Sequence, residues 1–252
     1  MKKLFCLILA LLLLVGCTAN APPASTPTET TAAPTTTQAT EETEPTYVYD
    51  KVIALTFDDG PNKDNTMEDV LDILKAYKIH ATFFLIGNGI NDSTREVVLR
   101  AYQEGHELGN HSFSHVSMKN MSTDEVMEEY QKVQDLVKDI TGEEPKLFRA
   151  PFLDISDTMS QNIPAPFING QGAGDYEAGV VAETIAARVL RNATDGGIIL
   201  LHVSKGYDAT EMALHIIIPE LREQGYEIVT VSELFERQGV TPENGVAYET
   251  VG

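Results

Sequence analysis

The chain has 252 residues and a formal net charge of −20, with 38 acidic against 18 basic side chains. So acidic a protein repels nucleic acid and anionic lipid head groups, and a neutral polymer suits it better as a partner. Cys6 and Cys17 are its only cysteines, so the body of the chain has neither a disulfide framework nor a thiolate nucleophile.

Lys2 and Lys3 precede an apolar run over 4–15, too short for a lasting transmembrane helix. The run ends in Leu14-Val15-Gly16-Cys17, which resembles a bacterial lipobox. That resemblance implies a signal peptide over 1–16, cleavage before Cys17 and lipidation of its thiol. It places the protein on the extracellular face of a bacterial membrane, touching the bilayer through the lipid alone. Residues 17–46 are rich in Thr, Pro, Ala and Glu and read as an extended, disordered tether. Residues 47–252 suit one domain, expected to be a monomer.

Within that domain, strands and helices alternate. Residues 52–57 form a continuous apolar run, as expected of a buried parallel strand. Asn65 or Thr66 can cap a helix reaching about Tyr77. Residues 81–86 read as a second buried strand. Ser93 with Glu96 has the spacing of a capping box for a helix to about Glu104. Residues 106–110 form a third, weaker strand. Ser122 with Glu125 opens the longest helix, with Val126, Tyr130, Val133, Val137 and Ile140 on one face and Gly142 and Pro145 at its end. Short strands are expected over 146–149 and 167–169, and a helix over 180–192. Residues 197–203 read as a strongly apolar strand. A helix over 208–224 is broken or kinked at Pro219. A last strand covers 226–231, and Ser232 caps a terminal helix. This alternation predicts a parallel α/β domain, either a barrel or a doubly wound sheet. Asp58, His111, Arg149, Asp175 and His202 all fall at or just beyond strand C-terminal ends, which a barrel gathers at one mouth.

Four clusters carry chemistry. In Thr56-Phe57-Asp58-Asp59-Gly60-Pro61, a strand delivers two acids to a sharp turn. His111 and His115 are four residues apart, a spacing that on a helical turn directs both imidazoles one way. Two imidazoles and one carboxylate make a catalytic zinc set with its fourth position open to water, and the spare acid is then a candidate general base. Ser112 and Ser114 lie between the histidines, but the chain has no Gly-x-Ser-x-Gly elbow, so both read as structural. Arg149, in Phe148-Arg149-Ala150-Pro151-Phe152, can clamp Asp58. His202 follows four apolar residues, as a satisfied core histidine or a titrating general acid. With no Trp in the chain, Phe152, Phe167 and Tyr176 are the candidate aromatic surfaces for stacking a ligand.

Together, Thr56-Phe57-Asp58-Asp59-Gly60, Ala81-Thr82-Phe83-Phe84, His111-Ser112-Phe113-Ser114-His115, Arg149-Ala150-Pro151-Phe152 and Leu200-Leu201-His202 resemble carbohydrate esterase family 4, the polysaccharide deacetylases with a NodB-homology domain. The resemblance spans about residues 50–237. It implies a distorted (β/α) barrel with about seven parallel strands. It implies that Asp59, His111 and His115 bind one divalent ion, with zinc first and cobalt, nickel or manganese as alternatives. Asp58 would be general base and His202 general acid. Arg149 would hold Asp58, and Asp175 would hold His202. A backbone N–H near Phe152 would face the oxyanion, and Leu200 would line the acetyl pocket. The family's fourth motif departs here: Tyr176 stands where a Trp is usual, and Gly172 where another acid is usual. The activity implied is metal-dependent removal of acetyl groups from a polysaccharide such as an N-acetylglucosamine polymer. An acetylxylan-type esterase is the alternative, and a non-catalytic surface carbohydrate-binding protein is the rival of another class.

Overall fold

The computed structural model describes residues 47–64, 66–204, 206 and 208–252. The signal peptide, Cys17 and tether readings lie outside the described residues, as does Asn65 as a helix cap. Among the described residues, no helix is long and apolar enough to cross a membrane.

The chain runs β1 (Lys51–Gly60), α1 (Thr66–Ala76), β2 (Thr82–Leu85), α2 (Arg95–Gln103), β3 (Glu107–Asn110), α3 (Thr123–Thr141) and α4 (Asp157–Asn162). It continues with β4 (Phe167–Ile168), β5 (Gln171–Gly172), α5 (Ala182–Asn192), β6 (Gly197–His202), α6 (Asp208–Glu223), β7 (Tyr226–Val229), α7 (Val231–Gln238) and β8 (Ala247–Tyr248). β1 is the centre, paired in parallel with β6 on one side and with β2 and β7 on the other. β2 pairs with β3, and β5 with β6. Single bridges from Asn110 to Phe148 and from Phe148 to Phe167 carry the ring from β3 to β4. Three residues after β4 the same stretch of chain pairs Gln171 with Ile199. The ring therefore closes as a distorted parallel barrel, as the sequence led us to expect.

Period-two alternation sorts the side chains. Ile53, Leu55 and Phe57 of β1 face outward into one apolar layer, with Met67 of α1, Val98 of α2, Ile185 of α5 and Leu214 of α6. Ala54 faces inward, into a second cluster with Phe84, Ile168 and Ile198, floored by Leu234 and Phe235 of α7. Fully burying one such side chain stabilises the fold by roughly 1.5–3 kcal/mol. The interior is tight: a Cβ on Gly109 of β3 would press into the Phe84 ring. The same inward positions, continued to the strand ends, bring Thr56 and Asp58, His111, and Leu200 and His202 to the top of the barrel.

Several local expectations change. The strand expected over 146–149 shrinks to the Phe148 bridge, because Pro151 and left-handed Phe152 and Leu153 turn the chain away at once. No capping box forms at Ser93: its N–H and hydroxyl both donate to Asn91 Oδ1 (3.1 and 2.6 Å), and the helix begins one residue after Thr94. α6 runs on through Pro219. α7 is capped by Thr230, in a capping box with Glu233, because Ser232 instead gives its N–H and hydroxyl to Glu107 of β3. The capping box at Ser122 and the left-handed stop at Gly142 are as expected.

Candidate active site

Asp58 and Asp59 leave the barrel at the end of β1. Asp58 is 2% exposed, and Arg149 Nη1 donates to its Oδ1 over 2.6 Å. The same nitrogen reaches Thr56 Oγ1 at 2.9 Å, and Arg149 Nε donates to the Ile168 carbonyl at 2.6 Å. The guanidinium lies over the Phe84 ring, 4.1 Å from its centroid. Burial pushes the Asp58 carboxyl up, but the charges of Arg149, His111 and His202 outweigh it and hold the group below its usual range.

His111 and His115 do not share a helical turn, which corrects the spacing argument. Ser112 (φ 65) and His115 (φ 53) are left-handed, so the chain between them is an irregular loop. Ser112 caps that turn, its hydroxyl accepting the His115 N–H at 3.0 Å. The rings still converge, with centroids 4.8 Å apart. His111 Nδ1 donates to the Arg149 carbonyl at 2.8 Å, which leaves Nε2 as a lone-pair donor. Burial, more than the neighbouring charges, keeps this imidazole below its usual pKa.

Asp59 Oδ1 faces both rings, 3.7 Å from His111 Nε2 and 3.6 Å from His115 Nε2. It is buried without a hydrogen-bond partner. Three ligands at about 2.1 Å from one tetrahedral zinc stand about 3.4 Å apart, so the three atoms fit a divalent ion, and the orphaned oxygen is what such an ion would satisfy.

Opposite this trio, Asp175 accepts from His202 twice, Oδ1 from the ring Nδ1 at 2.8 Å and Oδ2 from the backbone N–H at 2.7 Å. Thr210 donates to the same Oδ2 at 3.0 Å. Burial opposes protonation of His202, yet the Asp175 bond and the charges of Asp175, Asp58 and Asp59 raise its pKa. His202 lines the cleft beside the trio.

The cleft above these groups has a volume of about 490 Å³, and Leu200 and Gly172 line it. Phe152 and Tyr176 stand at its rim, 67% and 58% exposed. Phe152 lies 4.9 Å from the His115 ring, and Tyr176 lies 5.6 Å edge-on to His202. Phe167 is fully buried against Phe148 and cannot stack a ligand, which removes it from the candidates. Asp59, Ser112, His115, Phe152 and Leu153 all have φ between 53° and 74°. Each such residue costs roughly 1–3 kcal/mol, and their gathering at one cleft is typical of a functional site. Thr56 stands in its motif without an assigned role, and Thr210 and Ser204, whose hydroxyl lies 3.4 Å from Asp59 Oδ2, went unnoticed in the sequence, where single hydroxyl residues carry no pattern.

Residues 47–164 match the family model described as polysaccharide deacetylase. A bifunctional xylanase/deacetylase of Pseudobutyrivibrio xylanivorans is 44% identical over 192 residues, which are 76% of this chain and 32% of that one. The chain spans 32% to 39% of the length of the first curated relatives it matches. A peptidoglycan-N-acetylglucosamine deacetylase of Bacillus cereus is 37% identical, covering 73% of this chain and 88% of that protein. The solved family 4 acetyl xylan esterase from Clostridium thermocellum, in complex with a cobalt ion, superposes with a TM-score of 0.77 at 40% identity, over 80% of this chain and 99% of the other. With its motifs at one barrel mouth, and with the Bacillus deacetylase and the Clostridium esterase covered over 88% and 99% of their lengths, the chain belongs to the polysaccharide deacetylase family, carbohydrate esterase family 4.

Proposed function

We propose that this protein hydrolyses acetyl groups from a polysaccharide, with Asp58 as general base and His202 as general acid. One observation carries the reading. A carboxylate kept ionised by Arg149 and an imidazole kept basic by Asp175 flank the same trio of ligand atoms in one cleft. Asp59, His111 and His115 would hold the divalent ion, which would supply polarisation of the acetyl carbonyl and acidification of water. Asp58 takes the proton as water adds to the acetyl carbon. The bond from that carbon to the sugar oxygen or nitrogen then breaks, and His202 delivers a proton to the departing atom. Acetate leaves, and no covalent link to the protein forms. Phe152 and Tyr176 offer sugar-sized faces on either side of the cleft.

The leaving atom divides the reading in two. Amides of N-acetylglucosamine polymers are supported by the Bacillus relative, most of whose length this chain covers. Esters of xylan are supported by higher identity to the xylanase/deacetylase and to the acetyl xylan esterase. Acetate released from acetylxylan and from chitooligosaccharides by the zinc-loaded protein decides between them. Sugar binding without acetate from either would sink the hydrolase reading. We also infer an exported, lipid-anchored protein from Leu14-Val15-Gly16-Cys17. Cys17→Ala expressed in a bacterium should then lose membrane fractionation, and retention would refute the anchor.

A further inference from the structure

We propose that Glu129, on α3, is a positioning residue for the Asp59–His111–His115 cation site, acting by a hydrogen bond to the backbone of the histidine loop. The proposal rests on the cation reading above. The loop between the two imidazoles is neither helix nor strand, and two of its residues are left-handed. Such backbone relaxes elsewhere unless its surroundings fix it. One of its bonds is internal to the stretch, from the His115 N–H to the Ser112 hydroxyl (3.0 Å), and would move along with a shifted loop. The Ser112 N–H donates to Asn110 Oδ1 (2.9 Å) at the end of β3, which ties the loop's start to the barrel. Gly87 and Asn88 hold its first half from outside, donating to the Ser112 and Phe113 carbonyls at 3.0 and 2.8 Å.

The second half is held from α3. Ser114 N–H donates to Glu129 Oε2 at 2.8 Å, one residue before His115. α3 is a firm support. It is the longest helix of the domain, capped at both ends, and Val126, Tyr130, Val133 and Val137 are buried. It also grips the start of the loop, because the Asn110 amide donates to the Tyr130 carbonyl and to Gln134 Oε1, each at 2.9 Å. One helix face therefore fixes the residue before His111 and the residue before His115. The His111 ring has an anchor of its own in the Arg149 carbonyl. The His115 ring touches Phe152 and otherwise depends on where the loop delivers its backbone, which makes Glu129 the α3 side chain that helps set its reach to Asp59 Oδ1.

The test uses the full chain, stripped of metal and titrated with zinc against a competing chelator. Glu129→Ala should weaken zinc binding about 10- to 100-fold, the usual effect of losing a group that orients a ligand. Glu129→Gln should stay within about threefold of the unsubstituted chain, because an amide oxygen accepts the same Ser114 N–H. The metal-free melting temperatures of all three should agree within about 3 °C, since the half-buried Glu129 contributes little to the core. Unchanged zinc affinity in Glu129→Ala would overturn the proposal. So would an equal loss in Glu129→Gln, which would mean that charge acts and not the hydrogen bond. A metal-free Glu129→Ala that melts far lower would reduce the residue to a merely structural one and overturn it too. Those results leave the cation reading intact, whereas an unsubstituted chain that binds no zinc would overturn both.

Discussion

Arg149 donates to Asp58 over 2.6 Å in the throat of the barrel, where the arginine side chain has no exposure and the carboxylate almost none. A buried pair of this kind is costly to leave half made, because removing one partner strands the other charge away from water. Arg149 also serves the Thr56 hydroxyl and the Ile168 carbonyl. A lysine has one nitrogen for these three directions. Arg149→Lys should therefore lower stability by about 2–4 kcal/mol in urea unfolding at neutral pH. An unchanged midpoint would mean that the fork geometry contributes nothing.

Asp58 and Asp59 are neighbours with different tasks, and isosteric substitution separates them. Asp58→Asn keeps the shape and can still accept from Arg149, but it cannot take a proton. Turnover should fall more than about 100-fold while zinc stays bound, since Asp59, His111 and His115 are untouched. Near-normal acetate release in this variant would remove Asp58 from the role of base.

The chemistry was legible because it sits where a strand ends. Apolar runs followed at once by Asp58 and by His202 announce buried parallel strands with polar rims, and the inward period of β1 and β6 then aims both residues into the same mouth. Recurrent motifs supplied the division of labour between Asp58 and Asp59, which spacing alone left open. What stayed illegible was set by contacts distant in sequence. Ser232 looked like a cap, yet Glu107, 125 positions earlier, claims its N–H, and Thr230 takes its place. His111 and His115 looked helical, yet Ser112 is left-handed, held through Asn110 by α3. Phe167 looked like a sugar platform, yet its place in the β4 ladder turns it into the core. Spacing reports which residues can meet, and the path between them is decided by partners it does not see.

The dyad of His202 and Asp175 predicts a pH profile. Asp175 raises the His202 pKa, so the protonated acid persists to higher pH than a free imidazole would allow. Asp175→Asn removes that charge and keeps an acceptor for the backbone N–H. The alkaline limb of kcat/KM should move to lower pH, with at least about a tenfold loss at pH 8. A limb that stays in place would mean that His202 is not the acid.

His106, far below the cleft, predicts how stability responds to acid. The ring is 4% exposed, and its Nδ1 accepts the Ala81 N–H at 3.1 Å, so the neutral form carries its proton on Nε2. Protonating Nδ1 breaks that bond and charges a buried ring that faces Phe83 and His80, with Arg100 and Glu104 nearby. Burial, then the His80 and Arg100 charges, against the pull of Glu104, push the group down to about 4 from an ordinary 6.5. The unfolded chain therefore binds the proton first as pH falls. The stabilisation is complete above about pH 6.5 and is lost progressively as pH drops towards 4, by roughly 3 kcal/mol in all. Glu107 next door is raised by burial and slopes the opposite way, so the effect is read as a difference between two proteins. His106→Asn keeps an acceptor for the Ala81 N–H and cannot titrate. Between pH 7 and pH 4.5, urea unfolding should show the original chain losing about 2 kcal/mol more than this variant. Parallel stability curves would mean that His106 is protonated as easily in the folded protein as in the unfolded one.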